Sequence, residues 1–68
     1  METTTIKVKG MTCGGCVASV ERVLRELEGV EKVAVSLEQE EAKVEFDSTR
    51  IKPEALRAAI EDAGYDAA

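Results

Sequence analysis

Hydrophobic positions along this chain change period, from every second residue to every third or fourth and back again. Thr4, Ile6 and Val8 alternate with Thr5, Lys7 and Lys9, the spacing of a strand with one buried face, and Gly10 ends it. This predicts strand one over about residues 4–9. From Cys16 onward the apolar residues fall at Cys16, Val17, Val20, Val23, Leu24 and Leu27, with Glu21, Arg22, Arg25, Glu26 and Glu28 on the other side. That is an amphipathic helix, and Gly29 stands where a left-handed C-terminal cap would close it. Alternation returns at Val33, Val35 and Leu37, set against Lys32, Ala34 and Ser36. It continues at Ala42, Val44 and Phe46, set against Lys43, Glu45 and Asp47. These are strands two and three. The link Glu38-Gln39-Glu40-Glu41 is short enough for a hairpin, although it lacks the Asn-Gly or Asp-Gly pair of the tightest turns. Pro53 suits the first position of a second helix whose Leu56, Ala59, Ile60 and Ala63 recur at helical spacing, and Gly64 supplies its stop. Tyr65 to Ala68 fit a short edge strand or a frayed tail equally well.

The order strand, helix, strand, strand, helix, with a short final strand, is an α+β pattern satisfied by two layers. With right-handed crossovers it becomes the ferredoxin-like split βαβ sandwich, two helices covering one face of a four-stranded antiparallel sheet. Ile6-Lys7-Val8 and Ala42-Lys43-Val44 each precede a helix closed by glycine, a faint internal likeness. Following the directions of the elements brings three connections to one end: Gly10 to Gly15, Glu38 to Glu41, and Gly64 to Tyr65. Tyr65 and the acidic hairpin are therefore expected beside whatever the first loop does.

Sixty-eight residues, 44% hydrophobic and 34% charged, describe one small globular module spanning 1–68, with no linker and no room for a large buried pocket. A net charge of -5, no basic run, and Phe46 and Tyr65 as the only aromatics make nucleic acid a poor partner. No apolar run reaches membrane-spanning length, and Met1-Glu2-Thr3-Thr4-Thr5 has neither the positive start nor the apolar core of a secretory signal. The expectation is an independent cytoplasmic protein. In a reducing compartment a close cysteine pair points to a metal or redox site rather than a structural disulfide. The chain has no histidine, so metal chemistry here runs on sulfur or oxygen.

Cys13-Gly14-Gly15-Cys16 lies across the passage from strand one into helix one. Early helical N–H groups have no internal partner and the positive end of the helix dipole favours anions, so thiolates are stabilised there. Cys16 is in register with Val20, Val23 and Leu27, which turns its sulfur partly toward the core. Cys13 precedes the helix and is expected to be the more exposed, first-contact ligand. Ligand count then separates the metals. Structural zinc takes four ligands and an iron–sulfur cluster four cysteines, whereas this chain offers two thiols. Zinc would have to borrow carboxylates, water or a second chain. Two thiolates suit Cu(I), Ag(I) or Hg(II), and no carboxylate or ammonium side chain occurs from Gly10 to Val20 to favour a hard divalent ion. Gly14 and Gly15 each cost a helix about 1 kcal/mol relative to Ala. They leave an open, uncrowded site suited to transfer rather than storage.

Gly10-Met11-Thr12-Cys13-Gly14-Gly15-Cys16 after a short strand, the helix ending at Gly29-Val30, and Ala63-Gly64-Tyr65 together resemble the heavy-metal-associated domain over nearly the whole chain. Within it the pattern is most similar to the free-standing bacterial copper chaperones. The resemblance implies one Cu(I) per chain held by Cys13 and Cys16, in a monomer or a metal-bridged dimer. It also implies delivery to the metal-binding domain of a copper-transporting P-type ATPase. Eukaryotic chaperones of this type place a lysine where Tyr65 stands. Zinc- or cadmium-selective relatives place an acidic residue where Thr12 stands. The tail departs from the family pattern by stopping at Ala68.

Other readings remain open at this point. The cargo could be Hg(II), Ag(I), Cd(II) or Zn(II), or the pair could be a dithiol redox centre, although the Trp and Pro neighbours usual in such enzymes are missing. A fourth reading makes the segment a regulatory domain of a transporter. Met11 reads as a core residue or a weak thioether ligand. Tyr65 reads as a core cap or a hydrogen-bond donor near a thiolate. Glu38, Glu40 and Glu41 read as a solvated hairpin or a lip that steers a basic partner.

Overall fold

The computed structural model describes all residues, Met1 to Ala68. Its elements are β1 Glu2–Lys9, α1 Gly14–Arg25, β2 Val30–Ser36, β3 Glu41–Phe46, α2 Pro53–Asp62 and β4 Asp66–Ala67. The four strands form one antiparallel sheet in the order β2-β3-β1-β4, and this is the ferredoxin-like sandwich expected from the pattern.

Alternation places the core. Ile6 and Val8 of β1, Val33 of β2, and Ala42, Val44 and Phe46 of β3 point inward from the sheet. Val20 and Leu24 of α1 and Leu56 and Ile60 of α2 cover them, and Met11 and Ile51 seal the layer from loops. No polar or charged residue is buried, so the core is held by apolar burial at roughly 25 cal/mol per Å² and close packing.

Several boundaries differ from those the pattern predicts. β1 starts at Glu2, because its Thr-rich beginning pairs with the end of β3 through Glu2 and Phe46. α1 begins at Gly14 rather than Cys16, with Cys13 as its N-cap. It stops at Arg25, and the Leu27 N–H reaches only back to the Leu24 carbonyl, so Gly29 does not cap it. Gly29 instead holds the left-handed position (φ +98°) of a following turn closed by Val30 N–H to Leu27 O at 3.2 Å. A Cβ there would lie 3.0 Å from Ile51 Cγ2, so the position demands glycine twice over. Leu37 is exposed, because the alternation of β2 runs on into the turn after the strand has ended at Ser36. Ala63, expected on the apolar stripe of α2, is the exposed C-cap of that helix.

The hairpin turn, without Asn-Gly, puts Glu40 at φ 54° and ties the Glu40 N–H to Leu37 O at 3.3 Å. The Val8 N–H donates to the Glu40 carbonyl at 2.8 Å, which fixes the hairpin beside the upper end of β1. α2 ends in a Schellman motif: Tyr65 N–H to Ile60 O at 3.3 Å and Gly64 N–H to Glu61 O at 2.9 Å, with Gly64 at φ +100°. The reversal carries the chain into β4, whose Asp66 and Ala67 pair with Lys9 and Val8. The final residues are thus a short strand, and all three connections share one end of the molecule.

Candidate metal-binding site

Gly10, left-handed at φ +99°, ends β1 and turns the chain so that Met11 drops into the core at 7% exposure while Thr12 and Cys13 stay outside. The loop is anchored by that one side chain. The Cys13 carbonyl accepts from the Cys16 N–H at 3.0 Å and the Val17 N–H at 3.3 Å, which starts α1. The Cys13 side chain caps nothing, and no acidic residue stands in the first turn. The positive end of the helix is therefore left for an anion at the two sulfurs. Cys13 is exposed and Cys16 half-buried, both as free thiols, the ordering that the register of α1 predicts. Cys13 Sγ lies over the first turn, 3.6 Å from where a Cβ on Gly15 would be, whereas a Cβ on Gly14 would meet nothing.

The Cys16 thiol is held down to about 6 from an ordinary 9.0. A hydrogen bond from the Thr12 backbone is the largest cause, followed by the Tyr65 and Thr12 hydroxyls and the Cys13 backbone, all against the opposing effect of burial. The Thr12 hydroxyl is the one side chain in hydrogen-bond geometry with Cys16 Sγ, at 3.7 Å. Tyr65 is in turn pushed up, first by its interaction with Cys16, then by burial and by the charge of Cys16, while the Ser19 hydroxyl works in the other direction. Thr12, Cys16, Ser19 and Tyr65 thus form one small polar cluster, with the ring of Tyr65 packed on the core and near Gly10. The core-cap reading of Tyr65 holds, and its hydroxyl favours the Cys16 thiolate.

Thr12 and Ser19 are the residues that sequence reasoning missed in this role. Their signal is spacing: Ser19 lies three residues after Cys16, a separation that brings side chains together on a helix, and Thr12 lies four before it, on the loop that enters α1. No group of three or more Cys, Asp or Glu side chains converges anywhere in the molecule. The acidic residues surround the site at a distance. Glu38, Glu40, Glu61 and Asp62 sit at the same end, none in an ion pair, while Lys7 and Lys9 face Glu41 and Asp66 across the sheet.

Comparison with known proteins gives the lineage. Residues 5–66 match the profile of the Heavy-metal-associated domain. The chain belongs to that family. It is 47% identical over 66 residues to the copper chaperone CopZ of Staphylococcus saprophyticus, covering 97% of each. It is 49% identical over 65 residues to copper-transporting ATPase 2 of Homo sapiens, covering 96% of this chain but only 4% of that protein's length. Among solved structures, a copper binding domain from HMA7, a P-type ATPase, superposes with a TM-score of 0.99 at 43% identity, covering 100% of this chain and 92% of the other. The heavy-metal-associated domain thus spans residues 5–66 here, with the cysteine pair where its first loop enters α1.

Proposed function

We propose that this heavy-metal-associated domain is a cytoplasmic metallochaperone, a carrier and not an enzyme. It binds one Cu(I) between Cys13 Sγ and Cys16 Sγ and passes it to the metal-binding domain of a copper-transporting P-type ATPase. The observation that carries this reading is the donor set: two thiols at an uncapped helix start, one exposed and one half-buried, with no third ligand group converging. A soft monovalent ion is satisfied by two thiolates, whereas a tetrahedral ion is left short of ligands. The names of its relatives, copper chaperone and copper-transporting ATPase, support copper as the cargo.

Delivery follows from the geometry. A thiolate of the partner adds to the ion from the open side and forms a three-coordinate bridge. Cys13, the exposed donor, exchanges first, and Cys16 follows once the partner's second sulfur has bound. The exchange is thiolate for thiolate, with the copper kept as Cu(I) throughout, so no redox step occurs. Glycine at 14 and 15 keeps the approach clear.

Anaerobic mixing of the Cu(I)-loaded protein with an isolated ATPase metal-binding domain, followed by separation and metal analysis, tests the reading. Cu(I) recovered on the partner, with Cys13→Ser and Cys16→Ser each unable to deliver it, is expected. Retention of Cu(I) by this chain, or reversible disulfide turnover on a dithiol substrate without metal, would overturn it.

A further inference from the structure

We propose that Gly15 makes Cys13 the exchanging sulfur by leaving it uncovered; this rests on the reading of the cysteine pair as a site for Cu(I) delivery. Both glycines between the cysteines are exposed and lie in the first turn of α1. Neither has the positive φ that sets Gly10, Gly29 and Gly64 apart. Alanine therefore fits the backbone at both positions and would favour the helix. The fold gives no reason for glycine at either, and what a side chain would meet separates them.

Cys13 is the N-cap of α1, in extended backbone, and the side chain of such a residue folds back over the second and third helical positions. The second of these is Gly15. A Cβ there would lie 3.6 Å from Cys13 Sγ, whereas a Cβ on Gly14 would meet no residue beyond its chain neighbours. Helical side chains lean toward the N-terminus, over the turn that precedes them. Anything longer than a methyl at position 15 would thus run along Cys13 Sγ, while the same side chain at position 14 would enter open space. Cys16 is not affected in this way, because adjacent helical side chains point apart. Its sulfur already has the Thr12 hydroxyl at 3.7 Å and packs against the core. Residue 15 therefore sets the cover of one sulfur only. With glycine there, the thiolate of an acceptor reaches a metal ion on the Cys13 side without displacing any side chain.

Gly15→Leu, with Gly15→Ala as the milder change and Gly14→Leu as the control, tests this in two ways. The first needs no metal: Cys13 of the reduced chain is alkylated with iodoacetamide and with a bulky maleimide, and the two rates are compared. Gly15→Leu is expected to slow the maleimide several-fold more than iodoacetamide, Gly15→Ala less so, and Gly14→Leu to leave the ratio unchanged. A change in thiol ionisation moves both reagents together, so the ratio reports cover. The second follows Cu(I) passing from the loaded protein to a small dithiol chelator. Loading and release are expected to slow together, several-fold, in Gly15→Leu, with equilibrium Cu(I) affinity and circular dichroism unchanged. An unchanged alkylation ratio, equal slowing in Gly14→Leu, or slower release matched by tighter binding would each overturn the proposal. An unaltered protein that gives up no Cu(I) to the dithiol would overturn the delivery reading and this one with it. Normal release from Gly15→Leu would overturn this one alone.

Discussion

The Thr12 backbone, with the Tyr65 and Thr12 hydroxyls, favours the ionised Cys16 sulfur, so the thiolate persists down to about pH 6. The folded value lies below the ordinary 9.0. The stabilisation is therefore fully present above pH 9.0 and lost as pH falls through about 6, and the metal-free protein should gain stability with pH across that window. Cys16→Ser is expected to flatten this slope in denaturant titrations at a series of pH values. Thr12→Val and Tyr65→Phe each remove one hydroxyl and leave the Thr12 backbone bond. The pH midpoint of Cys16 alkylation should move up in both, part of the way toward 9.0; midpoints that stay at about 6 in both would contradict the cluster. Cys13, the more exposed sulfur, should react with alkylating reagents faster than Cys16, and equal rates would contradict the exposure order. The register of α1 made the exposure order legible, whereas the Thr12 contact, which crosses from loop to helix, left only a four-residue spacing to Cys16 as its signal.

At the level of elements, glycines separate the demands of folding from those of the site. Gly14→Ala meets open space and should stabilise α1 by up to about 1 kcal/mol, measured by thermal or chemical unfolding, with Cu(I) affinity unchanged. Gly29→Ala should destabilise by roughly 1–3 kcal/mol, since the left-handed backbone is strained for alanine and its Cβ would press on Ile51 and Arg50. Equal and small effects at both positions would contradict the packing described. The contrast also explains which parts of the fold were legible. β1 and β3 were readable because one face of each is buried without interruption through Ile6 and Val8 and through Ala42, Val44 and Phe46. Gly29 was misassigned because a positive φ serves a turn as readily as a helix cap. Leu37 was misassigned because alternation does not stop where hydrogen bonding does. A two-residue strand such as β4 has no period to detect; only its pairing with Val8 and Lys9 defines it.

Across the whole molecule the cysteine loop, the acidic hairpin and the end of α2 share one pole, and this was legible from topology before any coordinate. The charges there are mostly one sign: Glu38, Glu40, Glu61 and Asp62 stand without an ion-pair partner. A partner that docks on this end should be basic around its own cysteines, and the association rate should fall steeply as salt rises. Stopped-flow mixing at increasing ionic strength measures it, and a rate indifferent to salt would remove steering from the account. The central claim remains the donor count at the cysteine pair. X-ray absorption on the anaerobically loaded protein, with Cu(I) matched to chain, reads that count directly. Two sulfur neighbours in a near-linear arrangement, lost when Cys13 and Cys16 are both replaced by serine, is the predicted result; a closed four-coordinate shell, or the same spectrum from the double variant, would contradict it.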